Sequence, residues 1–412
     1  MHNSSFVSHL EGAIDGAALT PRIVHTTHKH RPILVRYDLD AVNLALNPRM
    51  LRDRPQTMWR YRELLPIDDD DAIVSLGETV TPLIHCPCLG ARLGAPNLYI
   101  KDESRLPTGS FKSRGMAVAV SMAKQLGLTA LAAPSAGNAG GALAAYAARA
   151  NIPCFLFMPA LTPAVNRAEA LLHGANVFLV DGLINDCGRL VRDAADALGW
   201  FDMSTLKEPY RIEGKKTMGL ELAEQLHWNL PDAILYPTGG GTGLIAMAKA
   251  FNELERLRWL TSPTRPRFYA CQSSTCKPIV NAFLNGDRFA KPPDNPHTIA
   301  AGLCVPSAIG DFLILDAIRQ SRGKALAAQE SRIPEWMALA SRTEGLSLCP
   351  ESAVCVGALQ LALASGDIRP DDRIVIFNTA AAQKYIETIP ADIPVIDHNA
   401  PLDWPSLVNK ST

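Results

Sequence analysis

Pro107-Thr108-Gly109-Ser110-Phe111-Lys112-Ser113-Arg114-Gly115 sets one lysine in a small-residue turn just ahead of an apolar run. An amine held there can form a Schiff base, leave again when a second amine takes its place, and then act as a base at a neighbouring carbon. Two other stretches have the make-up of ligand loops. Ser135-Ala136-Gly137-Asn138-Ala139-Gly140-Gly141 lies between a short apolar strand, Leu128 to Ala133, and a helix predicted over Ala142 to Ala150. Small residues there let backbone N–H groups at the helix start face an anion, so Ser135, Ala136 and Gly137 are candidates to grip the α-carboxylate of an amino acid. Gly239-Gly240-Gly241-Thr242-Gly243 follows a strand ending at Tyr236 and leads into a helix from Leu244 to Leu254. Successive glycine amides form a nest for a phosphate, and the threonine adds a hydroxyl donor. The spacing matches neither a P-loop, which ends in Gly-Lys-Ser/Thr, nor a dinucleotide fingerprint.

The elements around these loops alternate short β-rich runs with longer Ala/Leu-rich helical ones, the pattern of an α/β protein with parallel sheets. Strands are predicted at Leu98–Ile100, Cys154–Met158, Val177–Val180, Ala233–Tyr236 and Ile374–Phe377. Each ends where a loop begins, which is where open α/β sheets bind ligands. Up to Asp53 the chain shows little periodicity. Met58 to Pro66 then reads as a short helix stopped by proline, and Asp68 to Asp71 as an acidic loop.

The chain has 412 residues, is 47% hydrophobic and carries a net charge of -1. That is enough to bury a large core in two or three domains, and it favours neither nucleic acid nor an anionic membrane. No segment offers roughly 18 uninterrupted apolar residues, and the N-terminus lacks a basic start followed by an apolar run, so the expected location is the cytoplasm. Nine cysteines, an odd number in apolar surroundings, suit reduced core thiols. Cys86-Pro87-Cys88 lacks the spacing and the second pair of a zinc site, and His25, His28 and His30 sit in a polar arm. No metal is expected.

Together the lysine motif and the two loops resemble the fold-type-II pyridoxal-phosphate enzymes, the tryptophan synthase β-like family. Met58 to Pro66, Ser75-Leu76-Gly77-Glu78, Thr81-Pro82-Leu83, Glu213-Gly214-Lys215-Lys216-Thr217 and Thr379 extend the likeness to its threonine synthase branch, over most of residues 58–390. The resemblance implies an α/β fold with two open parallel-sheet domains and the cofactor, pyridoxal 5'-phosphate, between them. The implied limits are an N-terminal arm at 1–57, a large domain at 58–117 plus 226–400, a small domain at 118–225 and a tail at 401–412. Lys112 would carry the cofactor, Phe111 would pack beside it and Asn138 would meet its ring hydroxyl oxygen. Gly239, Gly240, Gly241, Thr242 and Gly243 would hold its phosphate, and Thr379 would meet the pyridine nitrogen. A hydroxyl at that nitrogen, in place of a carboxylate, suits eliminations more than transamination. The implied activity is a threonine synthase-like lyase converting O-phosphohomoserine and water to threonine and phosphate, acting as a homodimer.

The chain also departs from that pattern. Threonine synthases commonly carry Asn-Ser ahead of Pro-x-Arg, whereas this chain has Thr205-Leu206-Lys207-Glu208-Pro209-Tyr210-Arg211. Leu206 donates no hydrogen bond, and Glu208 repels a phosphate if it faces the site. Arg211 is the candidate to bind the substrate phosphate, with an ion pair to Glu208 or Glu213 as its structural alternative. The glycine loop looks closer to those of serine and threonine dehydratases, Ala380 stands where Gly is usual, and no cysteine precedes Cys86 to make the zinc ribbon of some relatives. A second reading therefore stays open: a β-elimination or β-replacement enzyme, such as a threonine or serine dehydratase, a diaminopropionate ammonia-lyase or a cysteate synthase-like protein.

Overall fold

The computed structural model describes residues 5–389, 393, 395–399, 401 and 403–405. Among them the N-terminal segment, where the sequence offers little periodicity, forms a small antiparallel sheet of β1 (Val7–Gly12), β2 (Ala18–Leu19) and β3 (Ile33–Tyr37), in the order β2-β1-β3. β1 and β2 are partly exposed, and the apolar cue is carried by β3, where Ile33, Leu34, Val35 and Tyr37 are all buried. Helix α1 (Leu39–Ala45) follows, capped by the Asp38 carboxylate on the Ala41 amide. Met58–Leu64 forms a 3₁₀ helix where the proline-stopped helix is predicted, and a short 3₁₀ turn, Asp70–Ala72, closes the acidic tract.

β4 (Leu83–His85), α2 (Pro87–Leu93) and β5 (Leu98–Asp102) lead to α3 (Lys112–Gln125), whose first residue is the candidate lysine. The chain then leaves for a second sheet: β6 (Leu131–Pro134), α4 (Asn138–Ala150), β7 (Cys154–Pro159), α5 (Ala164–Leu172), β8 (Asn176–Val180), α6 (Ile184–Leu198) and β9 (Phe201–Asp202). These strands pair in parallel in the order β8-β7-β6-β9. It returns through α7 (Tyr210–Gln225), β10 (Ala233–Pro237), α8 (Thr242–Arg256), β11 (Arg267–Ser273), α9 (Pro278–Leu284), α10 (Asp311–Gln320), β12 (Lys324–Ala328), α11 (Ile333–Glu344), α12 (Pro350–Ala364) and β13 (Ile374–Asn378). The larger sheet runs β12-β11-β10-β13-β5-β4 and is parallel except for the antiparallel edge strand β4. Its central strands are buried along their whole length, which is why they read as unbroken apolar runs.

Two buried polar assemblies fix α3 and α7. Arg114, two residues after Lys112, holds Glu103 at 2.6 Å and Glu221 at 2.5 Å, and Glu221 also takes Lys101 at 2.9 Å; all four are fully buried. The fork of Arg114 therefore ties α3 both to the end of β5 and to α7. Across α7, Glu213 binds Lys216 at 2.8 Å, Lys249 at 3.0 Å and the hydroxyl of Tyr37 at 2.9 Å. The N-terminal sheet is thereby locked onto the helix behind the site. Gly214 is required at the α3–α7 crossing, where a Cβ would stand 1.9 Å from the Arg114 carbonyl oxygen.

Candidate active site

The lysine turn is shaped by Thr108 and Gly109, both in the left-handed region at φ 58 and 60. It is stitched to the end of β13: Phe111 N donates to Thr379 O at 3.0 Å and Ala381 N to Gly109 O at 2.9 Å. Lys112 thus starts α3 with its amine over the Phe111 ring, 4.3 Å from the centroid. Burial, helped by the Arg211 guanidinium, pushes that amine down to about 8 against the opposing pull of Glu351 and Cys349. An amine titrating there is half uncharged at pH 8, so a nucleophilic fraction is present near neutral pH and grows above it.

Lys112 opens into a cavity of about 540 Å³ lined by loops from both parallel sheets. Phe111, Gly137, Asn138, Gly239, Gly240, Gly241, Thr242, Gly243 and Thr379 all lie in its wall. Ser135, Ala136 and Arg211 do not. The Ser135 hydroxyl turns back to its own loop, accepting from Gly140 N at 2.8 Å and donating to Gly137 O at 2.8 Å, so it closes the start of α4 rather than facing the cavity. Arg211 is buried in the first turn of α7, where Nη1 donates to the Met203 carbonyl at 2.8 Å while Nε and Nη2 find no partner among the described residues. Neither ion pair weighed for it forms. Glu208 accepts instead from the amides of Tyr210 (2.7 Å) and Arg211 (3.1 Å), a helix-start role that keeps its carboxylate out of the cavity wall.

The glycines of the third loop divide by cause. A Cβ on Gly239, Gly241 or Gly243 would meet Gly302 O at 2.4 Å, Ile314 Cδ1 at 2.1 Å or the Tyr236 hydroxyl at 1.9 Å, so protein packing demands them. Gly241 also has φ 68. Gly240 meets only a methyl of Thr205, at 3.2 Å, and is the position where a side chain would intrude on a ligand.

Sequence reasoning missed a carboxylate in the wall. Glu351, at the start of α12, accepts from the Tyr385 hydroxyl at 2.8 Å and from Gly302 N at 2.8 Å. Tyr385 in turn accepts from Asn138 Nδ2 at 2.8 Å. Thr379 has a similar support: its amide donates to Ser352 Oγ at 2.9 Å, and its hydroxyl lies 3.6 Å from Cys349 Sγ and 3.4 Å from Ser352 Oγ. The run Cys349-Pro350-Glu351-Ser352, with proline opening a uniformly apolar helix, is the signal that marks this corner.

The donor set fits pyridoxal phosphate. Lys112 offers an amine without a carboxylate partner, and the glycine loop offers amides and a hydroxyl for a phosphate. Among the described residues Asn138 Oδ1 and Glu351 Oε2 are buried without partners, polar atoms left over for a hydroxyl-bearing pyridine ring. Among the described residues no cluster of His, Cys, Asp and Glu could hold a metal ion, and no helix is long and apolar enough to cross a membrane.

Residues 74–380 match the model of the family described as pyridoxal-phosphate dependent enzyme. The threonine synthase of Methanocaldococcus jannaschii is 35% identical, covering 88% of this chain and 89% of its own length. That of Mycobacterium tuberculosis H37Rv is 32% identical, over 86% and 96%. Among solved structures, the diaminopropionate ammonia lyase of Escherichia coli superposes with a TM-score of 0.66 over 76% of this chain and 88% of its own, at 19% identity. Maize serine racemase gives 0.63 over 80% and 91%, also at 19%. At these identities the two structures establish the fold, a fold-type-II arrangement of two parallel sheets. With the lysine turn, the glycine loop and the matching family model in one place, this chain belongs to the pyridoxal-phosphate-dependent enzymes.

Proposed function

We propose that the protein is a threonine synthase-like lyase that converts O-phosphohomoserine and water to threonine and phosphate. The observation that carries this reading is the cavity itself, where the uncharged-prone Lys112 amine faces a wall whose outer part is cationic: Arg189, Arg192 and Lys207 all line it. Two of these already have an acidic neighbour, Arg189 with Asp186 at 3.9 Å and Lys207 with Asp202 at 3.0 Å. Arg189 and Arg192 from α6 and Lys207 from the loop before α7 supply the positive charge that Arg211 was expected to provide and that a substrate phosphate needs. The threonine synthases similar to this chain over most of its length support the same choice.

The bound cofactor supplies the electron sink for a carbanion at the substrate α-carbon. Lys112 Nζ takes the α-proton, which its depressed proton affinity permits near pH 8. The same amine would return a proton to that carbon. Asn138, at the start of α4, would orient the substrate carboxylate through its backbone N–H, while the Gly137 N–H donates to Ser135 Oγ at 3.3 Å. Asn138 and Thr379 would hold the ring at its hydroxyl and nitrogen, and Gly239 to Gly243 would hold the phosphate. Glu351, joined through Tyr385 to Asn138, stiffens this corner. Water adds at Cβ after the phosphate departs, so the atoms balance as threonine plus phosphate.

The two-domain limits at 117/118 and 225/226, a homodimeric state and a cytoplasmic location belong to the same proposal, on the strength of the family resemblance. Incubating the purified protein with O-phosphohomoserine, O-phosphoserine, threonine, serine and diaminopropionate, while following phosphate, ammonia and amino-acid products, tests the reading. Threonine and phosphate in equal amounts are expected from O-phosphohomoserine. Ammonia release from an unphosphorylated substrate, with no phosphate release, replaces the proposal with β-elimination.

A further inference from the structure

Lys215 and Lys216 are neighbours on α7 and both are buried, yet their surroundings are opposite. Lys216 lies 2.8 Å from Glu213 and 2.8 Å from Glu253, a fully compensated ammonium. Lys215 ion-pairs with no carboxylate among the described residues. Its Nζ donates to Thr242 Oγ1 at 2.6 Å and stands 5.1 Å from the centroid of the Phe111 ring, on which Lys112 also rests. The charged groups that act on it are Arg211 on its own helix, Lys112 on α3 and Glu208 ahead of α7, two cations against one anion. Burial, Arg211 and Lys112 hold its amine well below the ordinary lysine range. A lysine so placed is costly to charge until an anion comes near, and a purely structural role would be better served by a hydrocarbon side chain.

Thr242 shows where that anion belongs. It opens α8 at the end of the glycine loop and lines the cavity. Because its oxygen accepts the N–H of Lys215, its own O–H proton is left to point to another acceptor. We propose that Lys215 is the cation reserved for a phosphate monoester in the glycine loop, that this phosphate is the cofactor's, and that Lys215 acts on it through the Thr242 hydroxyl. The inference rests on the reading that pyridoxal phosphate occupies this cavity, and it makes Lys215 a positioning residue that selects the phosphorylated form of the cofactor.

The test uses the full chain stripped of cofactor and titrated with pyridoxal phosphate and with pyridoxal, each followed by absorbance. In Lys215→Met the dissociation constant for pyridoxal phosphate should rise about tenfold, the size of a lost charge-assisted interaction, while that for pyridoxal stays within about twofold. The same substitution removes a buried unpaired amine, so the melting temperature of the cofactor-free chain should hold or rise. Lys215→Gln, which keeps a donor for Thr242 without the charge, should fall between the two. Equal losses for both ligands, or no loss for either, would overturn the inference. So would a large rise in KM for O-phosphohomoserine at saturating cofactor with cofactor affinity unchanged, which would assign the lysine to the substrate phosphate. If the wild-type chain bound neither ligand, the proposed function beneath it would fail as well.

Discussion

The backbone amide of Phe111 donates to the carbonyl oxygen of Thr379 at 3.0 Å, joining residues 268 positions apart at the mouth of one cavity. The bond holds the lysine turn against the end of β13, so the amine of Lys112 and the hydroxyl of Thr379 keep a fixed separation without any side chain spanning it. Positioning by main chain leaves the Lys112 amine free for a ligand.

Borohydride reduction of the cofactor-loaded protein should fix the cofactor to the peptide that contains Lys112. Peptide mass mapping is decisive because Lys215 shares the Phe111 ring with Lys112. An adduct on Lys215 would reassign the reactive amine. Lys112→Ala should leave reversible cofactor binding and no covalent adduct.

The proton affinity of Lys112 is set by burial first, then by Arg211, which lowers it, and by Glu351, which raises it. The rate of covalent cofactor capture should therefore climb with pH as the amine loses its proton, with a midpoint near 8 in the wild type. Arg211→Met should move that midpoint to higher pH and Glu351→Gln to lower pH. Shifts of the same sign in both variants, read from stopped-flow absorbance across pH 6–10, would contradict this assignment of charges.

Gly240→Val should weaken cofactor retention, because its side chain would project past the methyl of Thr205 into the cavity, while the melting temperature of the cofactor-free chain changes little. Gly241→Ala should do the reverse in emphasis, costing about 1–3 kcal/mol of folding stability through its positive φ and the clash with Ile314. Denaturant unfolding beside a cofactor titration separates the two.

Arg192→Ala should lower kcat/KM for a phosphorylated amino acid by about tenfold and leave turnover of an unphosphorylated one within about twofold, since a charge-assisted contact contributes about 1.5–3 kcal/mol when fully made and less at an exposed rim. Equal losses on both kinds of substrate would remove the α6 cations from substrate recognition.

Arg114→Met should cost about 3–5 kcal/mol, because it strands Glu103 and half of the charge of Glu221 in a dry interior. Urea unfolding measures it.

The strands and the three ligand loops could be read from the sequence because each is a local pattern: an apolar run, a small-residue turn, a helix start. β6, for example, begins at Leu131 and α4 at Asn138, within a few residues of the limits that hydrophobicity and glycine placement suggest. The N-terminal sheet could not be read that way, since β1 and β2 are short and partly exposed and β3 is held by long-range contacts such as Tyr37 to Glu213. Tertiary structure also decided which polar groups face the ligand. Arg211 falls within a matching motif, yet the turn of α7 and the Met203 carbonyl draw its guanidinium inward, while Arg189 and Arg192 of α6 and Lys207 of the loop before α7 line the cavity. Glu351 joins the wall only because α12 packs beneath the sheet and Tyr385 bridges it to Asn138, more than two hundred residues earlier. Local sequence sets what a residue can donate or accept. Which groups converge, and which are used up inside the protein, is settled by packing between segments far apart in the chain.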